Sequence, residues 1–126
     1  MVVSADDGMD ELSIASRTRV IEVADGGTDE WFVEADDLDL EPAGLDAIPG
    51  GDPAENAAVV RSVLDGEPGA PREVALLNAG ATVYVAGDAV NLGGGVRQAR
   101  EALDSGAAKQ VLERLVARSA ELSEAS

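Results

Sequence analysis

Asp10 and Glu11 stand side by side in the stretch "DDGMDELS", Asp6 to Ser13, just past a glycine. Adjacent side chains on a strand leave from opposite faces, whereas in a turn two neighbouring carboxylates can converge. Hard divalent cations such as magnesium take carboxylate oxygens while keeping several waters and substrate phosphates in their shell. The pair therefore suits a magnesium ion shared with a diphosphate substrate. The plainer reading is solvated charge in an acidic loop, since the 126 residues include 25 Asp and Glu. The chain has no histidine and no cysteine, which removes an imidazole base or ligand, a serine-histidine triad, a thiolate metal site and a disulfide framework.

Other short motifs are weaker. "LGGGV", Leu92 to Val96, has neither the lysine nor the spacing of a phosphate loop and reads as a flexible start to a helix. "PGGDP", Pro49 to Pro53, opens a helix N-terminus of the kind that binds anions, but Asp52 occupies that end and would repel phosphate. The acidic run Asp36, Asp37, Asp39 and Glu41 lacks the glycine and glutamate register of an EF-hand loop. Asn78 is a lone polar residue in an apolar stretch; a bond to a neighbouring loop backbone is a better account of it than a ligand contact.

The elements that would hold these residues follow from pattern. "MVV" is a short strand. "TRVIEV" (Thr18–Val23) and "EWFVEA" (Glu30–Ala35) are β-branched or aromatic and flank Asp25-Gly26-Gly27, good turn chemistry, so they read as an antiparallel hairpin. Asp52, Pro53 and Glu55 form a capping-box start to a helix whose apolar stripe is Val59, Val60, Val63 and Leu64, with Gly66 as its stop. The segment from Pro71 to Gly87 is apolar on nearly every side and reads as a buried helix, with a strand possible over Thr82–Val85. Leu92, Val96, Ala99 and Leu103, then Ala108, Val111, Leu112, Leu115 and Leu122, mark two amphipathic helices joined at Gly106.

The expected architecture is α/β: one domain over residues 1–126, a partial sheet of mixed direction with packed helices, left incomplete. A strand at the first residue suggests a piece of something longer. Apolar residues make up 45% of the chain and aromatics 2%, so an aliphatic core is expected. The formal charge of −16 disfavours nucleic acid and anionic membranes as partners. One lysine beside eight arginines fits either a high-salt cytoplasm or a GC-rich genome. With no signal peptide and no long apolar run, a cytoplasmic location is expected.

Taken in order, Gly8-Met9-Asp10-Glu11-Leu12, then Gly50-Gly51-Asp52 with Asn56-Ala57, Leu77-Asn78-Ala79, and Asp104-Ser105-Gly106 with Ala108 resemble the C-terminal part of the anthranilate phosphoribosyltransferase family, from Val2 to about Val116. The resemblance implies a phosphoribosyltransferase/nucleoside phosphorylase-like catalytic domain. It implies transfer of a phosphoribosyl group from phosphoribosyl diphosphate to the amino nitrogen of anthranilate in tryptophan biosynthesis, with release of diphosphate. It also implies that Asp10 and Glu11 bind magnesium. It assigns no catalytic residue in this stretch. The family's diphosphate loop, anthranilate pocket and helical dimerisation domain lie in its N-terminal portion, so this chain alone is expected to be inactive. Its expected partner is that portion or a second copy. The family has His-Gly where Ser4-Ala5 stand, which keeps open a related transferase or nucleoside phosphorylase with another acceptor. A non-catalytic binding module is the alternative of a different class.

Overall fold

The alternation in Thr18–Val23 buries Thr18 and Val20 and exposes Arg19, leaving a half-apolar ribbon that needs partners on both edges. The computed structural model, which describes residues 1–24, 26–48 and 50–124, supplies both. Strands β1 (Val2–Ala5), β2 (Thr18–Ala24) and β3 (Gly27–Val33) form a three-stranded sheet in that order. Thr18 lies opposite Ala5 on one side and Val33 on the other. Ala24 faces Gly27 across the hairpin turn, where Gly26 takes a φ of 79° that suits glycine. Asp25, expected in that turn, lies outside the described residues.

The α/β class expected from sequence is present, and a first correction concerns strand direction. Both strand pairings are antiparallel, so the described sheet is not of mixed direction. Each connection simply reverses the chain, and a parallel pair would need a crossover. A second correction concerns β3, which begins at Gly27 and ends at Val33; Ala35, expected as strand, starts a 3-10 turn over Ala35–Leu38. The turn lets Leu40 N–H reach Ala35 O at 3.2 Å and buries both side chains in the core.

Four helices follow: α1 (Pro53–Leu64), α2 (Ala70–Val85), α3 (Leu92–Asp104) and α4 (Ala107–Glu124). Asp52 caps α1 by accepting from Ala54 and Glu55 N–H, and Glu55 reaches back to the Asp52 N–H, as the capping box requires. Pro49, the first residue of the motif before it, lies outside the described residues. α2 stays helical through Thr82–Val85. Its end is set by Gly87 at φ 86°, with Asp88 N–H bonded to Val83 O and Gly87 N–H to Tyr84 O. Leu76 and Leu77 on α2, Val96 on α3, Val20 and Val33 on the sheet, and Leu12 and Ile14 from the β1–β2 loop form the core. α2 and α3 cross very closely: a Cβ on Gly95 would lie 2.1 Å from Gly80 O. "LGGGV" is thus a close-packing surface, which corrects its reading as a flexible helix start.

Two expected stripes are covered only in part: Val63 and Leu64 on α1 and Ala108 on α4 pack against the core. Val59 and Val60 on α1, and Val111 and Leu115 on α4, are exposed. Their spacing is helical and amphipathic, but the rest of the described chain does not reach them.

Candidate functional site

The β1–β2 connection, residues 6–17, carries Asp10 and Glu11 and is built around a neighbouring acid. Asp6 N–H bonded to Arg17 O at 3.0 Å closes its base as a last rung of the sheet. Asp7 then turns inward. Its carboxylate accepts the Ser13 hydroxyl at 2.5 Å and the Met9 N–H at 3.0 Å, while its own N–H donates to Ser16 Oγ at 3.2 Å. Partial burial pushes the Asp7 carboxyl up, but the bonds from Ser13 and Met9 outweigh it and hold the group below the usual carboxylate range. Ser13 is buried; its N–H donates to Thr18 Oγ1 at 3.1 Å and its Oγ accepts from Ala15 N–H at 2.9 Å. Gly8, at φ 89°, supplies the turn between Asp7 and the acidic pair.

Asp10 and Glu11 sit in the bend at the far side of this loop, both exposed. Among the described residues neither carboxylate has a hydrogen-bond or ion-pair partner, so neither is neutralised by an arginine. Two unpaired hard-oxygen donors fit an ion that completes its shell with water and substrate phosphate. They do not fit an ion caged by protein alone: among the described residues no group of three or more Asp or Glu side chains could hold a metal.

Asn78 behaves as its surroundings in the sequence suggested. From the middle of α2 its side-chain amide bonds both backbone groups of Leu12, one residue beyond Glu11. The roles of Asp7 and Ser13 were not read from the sequence. The available signal was an Asp two residues before a free N–H next to glycine, an Asx-turn arrangement. "LGGGV" and "PGGDP" do not join the site: Asn91 caps α3 by accepting from Gly94 N–H at 2.8 Å, and Asp52 is spent on α1.

A small hollow of about 120 Å³ lies against Ile14–Arg17 at the end of the loop away from the acidic pair, and two of the larger concavities lie elsewhere. One, about 500 Å³, is lined by Glu22, Trp31, Tyr84 and Asn91; Glu22 accepts the Tyr84 hydroxyl at 2.6 Å and the Trp31 indole N–H at 3.3 Å, so its polar groups satisfy one another. The other, about 490 Å³, is an apolar groove between α1 and α4. Neither is lined by the acidic loop. Among the described residues no helix is long and apolar enough to cross a membrane.

Residues 1–109 match the family model described as "Glycosyl transferase family, a/b domain". The chain is 47% identical over 116 residues to an anthranilate phosphoribosyltransferase of Thioalkalivibrio sulfidiphilus, covering 92% of this chain and 34% of that protein. It is 43% identical to one of Halorhodospira halophila, covering 98% and 36%. Its fold matches the crystal structure of an anthranilate phosphoribosyltransferase from Thermus thermophilus with a TM-score of 0.83 at 42% identity, over 92% of this chain and 34% of that one. It also matches one from Saccharomyces cerevisiae, in complex with PRPP and Mg, with a TM-score of 0.78 at 26% identity, over 88% and 32%. The chain thus spans about a third of the length of the relatives it matches.

Proposed function

Because this chain belongs to the glycosyl transferase family, a/b domain, we propose that it is the C-terminal, magnesium-carrying part of an anthranilate phosphoribosyltransferase. The reaction transfers a phosphoribosyl group from phosphoribosyl diphosphate to the amino nitrogen of anthranilate and releases diphosphate, a step of tryptophan biosynthesis in the cytoplasm. The observation that carries this reading is 47% identity to such an enzyme over nearly the whole chain.

In this reading Asp10 and Glu11 hold the ion through their carboxylates. Both are exposed, and among the described residues no basic side chain engages either carboxylate. Magnesium bound there would offset the negative charge of the leaving diphosphate. Asp7 and Ser13 keep the loop in one shape, so the two carboxylates are presented with little ordering cost when substrate arrives. No residue of this chain is assigned to proton transfer, and the absence of histidine is consistent with a step that asks for charge stabilisation above all. The diphosphate cradle and the anthranilate pocket are supplied by the remaining part of the polypeptide or by a partner copy, and the chain by itself is inactive.

The test is the magnesium dependence of the full polypeptide bearing Asp10→Asn or Glu11→Gln. Each is expected to raise the magnesium concentration needed for half-maximal rate at least about tenfold, since even outer-shell partners of metal ligands are worth that much. The KM for anthranilate should barely move. Unchanged magnesium dependence in both variants would reject the assignment.

A further inference from the structure

We propose that Asn78 is a positioning residue for the acidic pair, an inference that rests on the magnesium reading above. Its Oδ1 accepts the Leu12 N–H at 3.0 Å, and its Nδ2 donates to Leu12 O at 2.9 Å and to Val74 O at 3.0 Å. The amide thus pairs with residue 12 as a neighbouring strand would, taking both its donor and its acceptor. The Leu12 N–H belongs to the peptide plane that joins it to Glu11. Holding that plane fixes the backbone rotation immediately after Glu11, and with it the direction from which the Glu11 side chain departs.

Leu12 adds a second constraint. Its side chain is 2% exposed and packed in the core, so the loop is pinned from below by burial and from the side by Asn78. On the far side of the pair, Met9 N–H is held within the loop by the Asp7 carboxylate at 3.0 Å. The tether to α2 comes from Asn78 alone among these bonds, and it falls on the residue next to Glu11. Asn is a poor choice for the interior of α2 on propensity alone, and an apolar residue there would serve the helix as well. Two of its three side-chain bonds reach across 66 residues of sequence to the one loop that carries the carboxylates.

The experiment compares wild type with Asn78→Ala and Asn78→Ser in the full polypeptide. Serine can still bond the Val74 carbonyl within the helix but is too short to reach Leu12, and it guards against a variant that fails to fold. Manganese binding in the presence of phosphoribosyl diphosphate is read by electron paramagnetic resonance, beside hydrogen exchange over residues 8–12. Both variants should weaken manganese binding by about tenfold to a hundredfold, the range seen when outer-shell support of a metal ligand is removed. Exchange at the Leu12 amide should accelerate, and the KM for anthranilate should hold. Faster exchange with unaltered manganese affinity would make Asn78 merely structural and overturn the proposal. Asp10→Asn and Glu11→Gln run alongside: if these also leave manganese binding untouched, the magnesium reading itself fails and takes the proposal with it. If they weaken it and the Asn78 variants do not, only the positioning role falls.

Discussion

At the scale of single residues, the acid that shapes the loop is Asp7, while Asp10 and Glu11 have no partner among the described residues. Asp7 has two donors converging on its carboxylate, and charge-assisted bonds of this kind are worth about 1.5–3 kcal/mol each when well shielded. Because the loop lies near the surface, Asp7→Asn should cost less, about 1 kcal/mol at neutral pH. The pH dependence has a definite sign. A carboxyl whose folded value lies below its unfolded one stabilises the fold above about pH 4 and loses that contribution as pH falls through the folded value. Thermal unfolding of wild type and Asp7→Asn should therefore differ at pH 7 and converge in strong acid. A gap of constant size down to pH 2 would mean that Asp7 acts by shape alone.

At the scale of elements, the contact between α2 and α3 separates two glycines that look alike in "LGGGV". A methyl on Gly95 meets Gly80 O at 2.1 Å, backbone against backbone, and neither helix can yield without moving the other. Gly95→Ala should destabilise by about 3 kcal/mol or more, the upper range of overpacking. A methyl on Gly93 meets Leu38 Cδ2 and Asn91 Oδ1 only at 3.7 Å, ordinary contact, so Gly93→Ala should stabilise by about 0.5–1 kcal/mol through helix propensity. Calorimetric Tm values would show the opposite signs. This pair also marks how far the sequence could be read. The capping box at Asp52 and Glu55, the stops at Gly66 and Gly87, and the buried stripe of α3 were legible because they depend on neighbours three or four residues away. The Gly80–Gly95 approach and the choice of Leu12 as the loop backbone that Asn78 binds were not, since each depends on where a distant segment comes to rest, and the Asp7–Ser13 clasp was not, since it depends on the closed shape of the loop. Of the candidate site, the acidic pair could be singled out by residue type and by the resemblance, and the loop that presents it only in three dimensions.

For the whole molecule, the balance of charge decides more than any one pair. A formal charge of −16 is spread over a small domain, and among the described residues only Asp6, Glu30, Asp65, Glu73, Asp104 and Glu121 are in ion pairs. Most of those pairs lie half in solvent, as with Arg19 and Glu30, each 47% exposed, where such a bridge adds little to stability. Repulsion among the remaining carboxylates acts over longer distances and between many more partners. Raising ionic strength from 0.1 M to 1 M shortens the screening length from about 10 Å to about 3 Å, which removes most of that long-range repulsion and weakens the few contact pairs to a smaller degree. Potassium chloride should therefore raise the Tm, by about 4 °C for each kcal/mol of repulsion relieved in a domain of this size. It should also bring the exposed apolar residues of α1 and α4, Val60, Val111 and Leu115 among them, closer to self-association, because the same repulsion keeps copies apart. Scanning calorimetry and light scattering in a potassium chloride series would test both. A Tm that falls with salt would mean that the few ion pairs outweigh the surplus charge, and the acidic surface would then need a different physical account.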